Sequence, residues 1–330
     1  MQVKNDNIKK IALLTSGGDA PGMNAAIRAI VRTAIYNKLE VVGIMNGYSG
    51  LLNKEFIEMK SHSVSKIITR GGTILKSSRC MEFTTHEGRE KAYKNLKEEG
   101  IDALIVNGGD GSFRGADLLE KEFNLPVIGI PCTIDNDIYG TDFTIGFDSA
   151  INTVIEAVDK IRDTAESHNM LFFVEVMGRH SGFIALNTSI ASGAEATLLP
   201  ETRTDLKQIC NYMELERRKN KTSGIIIVAE GDEEGGAEEI AVKIKKRLPD
   251  YETRVTTLGH TQRGGNPTCN DRVLASLLGN KAVYALLNGK HGVMVGRIHN
   301  NIVYTPLEEA YTKKDKIDES WIEISKIISL

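Results

Sequence analysis

The sequence predicts an α/β protein of two domains, each a mainly parallel sheet covered by helices on both faces. Three observations carry this. Apolar strand-like runs alternate with amphipathic helical ones almost throughout, the pattern that builds parallel sheets through helical crossovers. The first four strand-like runs each lead into a turn rich in glycine, asparagine or aspartate. At 330 residues the chain can bury a large core and should divide in two.

The elements follow in order. KIALLT (10–15) reads as the first strand, and Met23 to Tyr36 as a helix with its stripe at Ala26, Ile27, Ile30, Val31, Ala34 and Ile35. EVVGIMNG (40–47), DALIVNGG (102–109) and PVIGIP (126–131) give three more strands. Asp148 to Thr164 reads as a helix with Asp148 suited to the N-cap and Ile151, Ile155, Val158 and Ile161 on one side. LFFVEVMG (171–178), EATLLPE (195–201), GIIIVAEGD (224–232) and TRVTTLGH (253–260) complete the strand set. A domain seam is expected near Gly146 to Ala150, with a return crossing near His260. EEGGAEE (233–239) reads as the most loop-like stretch, a solvated turn.

Composition narrows the function. Hydrophobic residues are 41% and charged ones 26%, ordinary for a soluble globular protein, and a net charge of -3 supports neither a nucleic-acid footprint nor binding to an anionic membrane. Cys80, Cys132, Cys210 and Cys269 are scattered without metal-ligand spacing, as expected of idle thiols in a reducing cytosol. MQVKNDNIKK lacks the apolar stretch of a signal peptide, and no apolar run approaches a membrane span, so a cytoplasmic protein is expected. His62, His86, His168, His180, His291 and His299 show no metal spacing.

Chemistry concentrates in the turns. Asp135, Asp137 and Asp142 fall within eight residues, just after PVIGIP. In open α/β sheets ligands sit beyond the carboxyl ends of strands. A carboxylate there can take a proton from a hydroxyl or help hold Mg²⁺. ALIVNGGDGS repeats the plan with Asp110, and two acidic turns after two strands point to metal-assisted phosphoryl transfer. Gly17, Gly18 and Gly22 leave backbone N–H groups bare ahead of a helix N-terminus, which suits phosphate, although plain tight-turn sterics gives the same pattern. Met23 and Asn24 stand where a P-loop needs Lys and Ser/Thr, against a Walker site. Gly109, Gly111 and Gly115 are spaced as GxGxxxG, but Asp110 between them would repel a pyrophosphate unless a cation intervened; its other reading is a helix cap. The same aspartate, with no clean GxGxxG, argues against a nicotinamide-dinucleotide oxidoreductase.

Six collinear motifs, TSGGDAPGMNAAIR, RGGT, GGDGS, TIDND-GTD-TIGFD, VEVMGR and GHTQRGG, span Thr15 to Gly265. In this order they resemble the bacterial-type ATP-dependent 6-phosphofructokinases. The resemblance implies two doubly wound, Rossmann-like domains with a cleft between them. The ATP-binding domain would be 1–146 plus about 262–312, and the sugar-phosphate domain 147–261 plus about 313–330. It implies a cytoplasmic, allosteric glycolytic enzyme, generally a homotetramer with sites shared between subunits, whose substrates are ATP and fructose 6-phosphate. Asp135 would be the general base for the C1 hydroxyl, Asp137 would steer it, Thr133 would hold the transferred group, and Arg179 would join this catalytic set. Gly17, Arg79, Cys80, Gly109, Asp110, Gly111 and Ser112 would bind ATP, with Asp110 also the Mg²⁺ ligand. Met177, Gly178, Arg179 and Glu230 would contact the sugar, and Arg254, His260 and Arg263 its 6-phosphate. Arginine suits that task because its planar fork makes two hydrogen bonds at once. Arg28, Arg32, Arg162 and Glu195 match the family's effector pocket.

Four departures qualify this expectation. Pyrophosphate-dependent relatives usually carry Asp after the GGD aspartate and Lys before TIDND; here Gly111 and Cys132 stand there, which favours ATP, although Cys132 is not the Gly typical of ATP users. Met170 replaces an arginine that usually reaches the 6-phosphate bound by the next subunit, a change worth about ten- to a hundred-fold in affinity. Ser61 and Thr222 replace basic effector-pocket residues, so control by nucleoside diphosphate and phosphoenolpyruvate should be weakened or altered. The competing readings are a pyrophosphate-dependent or different-sugar kinase, and a non-catalytic nucleotide-sensing paralogue.

Overall fold

A computed structural model describes residues 8–218 and 223–329. In chain order its elements are β1 (Lys10–Thr15), α1 (Met23–Tyr36), β2 (Glu40–Ile44), α2 (Gly47–Leu52), β3 (Phe56–Glu58), α3 (His86–Glu98), β4 (Ala103–Gly108), α4 (Asp110–Phe123), β5 (Val127–Thr133) and β6 (Ile145–Gly146). There follow α5 (Phe147–His168), β7 (Met170–Val176), α6 (Phe183–Ser192), β8 (Ala196–Leu198), α7 (Leu206–Arg218), β9 (Gly224–Ala229), α8 (Ala237–Arg247) and β10 (Glu252–Thr257). The chain ends with α9 (Cys269–Leu287), β11 (Val293–Ile298), β12 (Asn301–Pro306), α10 (Leu307–Thr312) and α11 (Glu319–Ile328).

The chain forms two compact units. One comprises the described residues up to Thr133, with Ile138–Asp148 and Arg263–Asp315; the other comprises Ile134–Asp137, Ser149–Gln262 and the described residues from Lys316 on. The strands of the first unit run in the order β12–β11–β5–β4–β1–β2–β3, with β6 beside the end of β5. The interior pairs are parallel, while β2–β3 and β11–β12 are antiparallel at the two edges. Its central strands β1, β4 and β5 are almost wholly buried, as apolar runs covered on both faces must be. Leu14, Ile44, Leu104, Val106 and Phe113 share one core. On the sheet's flank α1 and α9 cross closely at Gly279, where a Cβ would lie 2.8 Å from the Ala26 carbonyl oxygen.

The second unit is a four-stranded sheet, order β10–β7–β9–β8, parallel throughout. Leu171, Phe173, Ile226 and Val228 from its strands meet Met213, Ile240 and Ile244 from α7 and α8. Edge strand β10 alternates between exposed and half-buried residues, unlike the fully buried β9. Among the described residues no helix is long and apolar enough to cross a membrane.

Two local expectations change. EEGGAEE is only half a turn, because α8 begins at Ala237 and takes Glu238 and Glu239 into its first turn. Negative charge is favourable at a helix N-terminus, and the Glu175 carboxylate accepts the Ala237 N–H at 2.8 Å. Asp148 is not an N-cap, since α5 already starts at Phe147. Its carboxylate instead accepts from the Thr268 hydroxyl at 2.5 Å.

Candidate active site

In the first unit the strand order reverses between β1 and β4, and ligands of open α/β sheets bind at such a switch point. Both strands end there in glycine turns. After β1 the chain turns at Gly17 with φ +86, a backbone angle that favours glycine. After β4, Gly109 caps α4 with no side-chain bond of its own. A Cβ on Gly17 would lie 3.4 Å from Ser112 Oγ, which places the two turns side by side. Thr133, at the end of β5, lies against Gly109, where a Cβ would be 3.9 Å from its own.

A third segment is tied to these turns. Asn24 donates to the Arg70 and Gly71 carbonyls, at 3.1 Å each, and accepts from Ile74 N–H at 2.8 Å. The residue that denies this turn a P-loop therefore anchors RGGT. Thr15 donates to the Lys76 carbonyl at 2.7 Å and Ser77 to that of Gly17 at 2.7 Å. This brings exposed Arg79 and half-buried Cys80 into the same unit as the glycine turns.

Asp110 opens α4, and its carboxylate accepts from Gly111 N–H at 2.6 Å and ion-pairs with Lys314 at 3.3 Å. Gly109 rather than Asp110 is the helix cap. Asp110 is about half exposed, at 47%. Among the described residues no three His, Cys, Asp or Glu gather to hold a metal. One accessible carboxylate at a phosphate-type turn fits Mg²⁺, which keeps waters and is shared between a carboxylate or two and substrate phosphates. Gly111 faces open space, with nothing within 4 Å of an added Cβ. Cys132 is 1% exposed, and burial followed by the Asp271 charge pushes its thiol up and keeps it neutral. The room for a bulky donor therefore rests on Gly111, not on Cys132.

The three carboxylates after β5 part company. Asp142 belongs to the first unit, accepting from His299 N–H at 2.7 Å while its own N–H donates to the Arg297 carbonyl at 2.9 Å. It fastens the β11–β12 hairpin. Asp135 and Asp137 belong to the second unit. Asp135 is 6% exposed, and its carboxylate lies 3.9 Å from Arg179 Nε. The Ser181 hydroxyl donates to the Asp135 carbonyl at 2.8 Å, which holds the segment on this unit.

Beyond β7, Met177, Gly178 and Arg179 form a turn whose amides are all taken by side chains. Glu230, just past β9, accepts from Gly178 and Arg179 N–H at 3.3 and 2.7 Å. Gln262 accepts from Met177 N–H at 3.2 Å. Part of the Glu230 carboxylate is thus committed to the backbone rather than to a ligand. His260 is exposed past β10, and exposed Arg254 ion-pairs with Glu252 of its own strand. Met170 starts β7 half-buried, in register with Glu252. Arg263 is counted in the first unit, with its guanidinium on the glycine turn: a Cβ on Gly18 would fall 1.7 Å from Nη1.

The effector-type residues divide between the units. Arg28 and Arg32 lie one turn apart on α1, where burial, then the Arg32 charge, lowers the Arg28 guanidinium from its ordinary value. In the second unit Arg162 donates to the Ser192 carbonyl at 2.7 Å and lies 3.9 Å from buried Glu195. Ser61 is exposed, and Thr222 lies outside the described residues. Lys314 and Gln262 are the site residues that sequence reasoning missed. Lys314 lies 204 positions from its partner, with no local signal. Gln262 was visible inside GHTQRGG, but nothing in the motif says that it is buried.

Comparison with known proteins gives the family. The family model Phosphofructokinase matches residues 10–286. ATP-dependent 6-phosphofructokinase 2 of Bacteroides thetaiotaomicron is 54% identical over 323 residues, covering 98% of this chain and 99% of that one. ATP-dependent 6-phosphofructokinase 1 of Thermus thermophilus is 51% identical over 323 residues, covering 98% and 100%. The solved phosphofructokinase from Saccharomyces cerevisiae superposes with a TM-score of 0.88 at 38% identity over 97% of this chain, which spans 48% of that longer one. With two phosphate-type turns at the switch point, an acidic turn after β5 and near full-length relatives, the chain belongs to the phosphofructokinase family.

Proposed function

We propose that this chain transfers the γ-phosphoryl group of ATP to the C1 hydroxyl of fructose 6-phosphate, giving fructose 1,6-bisphosphate and ADP. The observation that carries the reading is buried Asp135, two residues past the end of β5, with the Arg179 guanidinium 3.9 Å from its carboxylate. Asp135 takes the proton of the C1 hydroxyl, a role worth roughly 10²–10⁴-fold in rate. Asp137 steers that base, Thr133 holds the transferred group, and the Arg179 charge offsets the negative charge around it. Phosphoryl transfer depends on such positioning and neutralisation more than on covalent chemistry.

Gly17, Arg79, Cys80 and the Gly109–Ser112 turn receive the nucleotide phosphates through backbone N–H groups and one cation. Asp110 would hold Mg²⁺, which when bound would offset negative charge on the nucleotide phosphates. Met177, Gly178, Arg179 and Glu230 meet the sugar, while Arg254, His260 and Arg263 take the 6-phosphate. A cytoplasmic homotetramer with sites shared between subunits, and an effector pocket at Arg28, Arg32, Arg162 and Glu195, rest on the family resemblance.

The test is fructose 1,6-bisphosphate formation with ATP-Mg and pyrophosphate-Mg run side by side over a wide sugar range. Turnover with ATP is expected, with a high sugar requirement if nothing replaces the arginine lost at Met170. Turnover with pyrophosphate alone overturns the donor, and none with either overturns the reading.

A further inference from the structure

We propose that Gln262 is a positioning residue for the sugar-phosphate site, holding the turn that carries Arg179 to the turn that carries His260. It is a polar side chain with 0% exposure, and both ends of its amide are used. Oε1 accepts from Met177 N–H at 3.2 Å, and Nε2 donates to the Gly259 carbonyl at 3.0 Å. The first partner follows β7 and the second follows β10, which are neighbouring parallel strands. One amide therefore bridges the carboxyl ends of two strands within a single unit.

The turn has one backbone bond of its own, from Ser181 N–H to the Gly178 carbonyl at 2.9 Å, and its amides before that are held by side chains. Gly178 has φ +144 and Arg179 φ +54, two left-handed residues in succession. A Cβ on Gly178 would lie 2.3 Å from the Ser181 carbonyl oxygen, so the turn is also tightly enclosed. From that conformation Arg179 Nε stands 3.9 Å from the Asp135 carboxylate. Glu230 fixes the amides of Gly178 and Arg179, and Gln262 fixes the one before them. The site requires one acceptor and one donor at opposite ends of a short planar group. Among side chains of this length, glutamine supplies both at neutral pH, whereas a carboxylate supplies only acceptors.

A buried glutamine that merely stabilised the fold would act differently from one that sets a substrate turn. Gln262→Leu should raise the KM for fructose 6-phosphate tenfold or more and lower kcat, with the KM for ATP within twofold of the parent. If both KM values stay unchanged and only the active fraction falls, the proposal is overturned. Gln262→Glu supplies a second arm and serves if the leucine variant does not fold. Its carboxyl, buried between an N–H and a C=O, should titrate high. Once protonated it again has one acceptor and one donor, so its sugar KM should fall toward the parent value as pH drops from 8 to 6. A flat sugar KM, once the parent's own profile is divided out, counts against the idea.

The inference rests on the sugar-phosphate reading, so one measurement stands free of it. Hydrogen exchange of the Met177–Arg179 amides without substrate should quicken at least tenfold in Gln262→Leu. Unchanged protection there overturns the positioning role whatever the enzyme phosphorylates. Absence of sugar-phosphate turnover in the parent, with the exchange effect intact, overturns the substrate instead.

Discussion

In the first unit the chain leaves β1 and β4 through glycine turns, whose backbone N–H groups are the proposed ligand contacts. In the second it leaves β7 through a turn whose amides are already held by Glu230 and Gln262. The first plan binds with the backbone, and suits a ligand whose phosphates are the same in every nucleotide. The second uses up the backbone to aim side chains, Arg179 above all, and suits a ligand recognised by where its hydroxyls and phosphate stand. Loss of a side chain should therefore be felt most in the second unit, and a charge added beside the glycine turns most in the first.

The sharpest test of that contrast is Asp135→Asn. The amide keeps the size of the side chain and its place beside Arg179 but cannot take the hydroxyl proton. Turnover should fall by about 10²–10⁴-fold, while ATP binding by calorimetry stays within twofold. An unchanged kcat would remove Asp135 from the chemistry. Parallel loss of ATP affinity would show that the two clusters do not divide the labour.

Next in size is an added side chain at Gly111. Nothing lies within 4 Å of a Cβ there, so Gly111→Ala should leave stability and activity within about twofold. Gly111→Asp adds a negative charge next to Asp110, where nucleotide phosphates are proposed to lie. A like charge at about 4 Å in surface-type surroundings costs on the order of 1–4 kcal/mol, so the KM for ATP should rise roughly tenfold or more. The sugar KM should not follow. Equal rises in both would mean that the variant loosens the fold instead of excluding the donor.

The same contrast explains what could be read in advance. The central strands announce themselves because apolar runs such as DALIVNGG have no other stable home, and the glycines after them mark turns that a Cβ would spoil. The carboxylates after β5 were legible as a group, but not that Asp142 serves the β11–β12 hairpin, because its partner His299 lies 157 positions away. The Asp110–Lys314 pair was hidden for the same reason. Burial of Gln262 and Cys132 depends on how whole elements pack, which no short motif encodes. EEGGAEE misled because four glutamates and two glycines look solvated, although acids at a helix start are stabilising.

The smallest effects separate the units by proton binding. In the first unit Arg89 grips Glu122 with hydrogen bonds of 2.6 and 2.7 Å, and those bonds hold the carboxyl below its usual range despite some burial. In the second, burial pushes the Asp232 carboxyl up, against hydrogen bonds from the Thr204 hydroxyl and Glu234 N–H. The signs are opposite. A depressed carboxyl contributes stability above its unfolded pKa and loses it as pH falls through the folded value. A raised one contributes below its unfolded pKa and loses it as pH rises through the folded value. Relative to the parent, Glu122→Gln should be less stable at neutral pH, and the gap should close as pH drops below about 4. Asp232→Asn keeps one acceptor for Glu234 N–H and can donate to Thr204. The parent should therefore lose ground to it as pH climbs above about 4. Each slope is limited to one proton, about 1.4 kcal/mol per pH unit. Denaturant melts of the three proteins between pH 3 and 7 would show it, and two slopes of the same sign would refute the assignment of one carboxyl to an arginine and the other to burial.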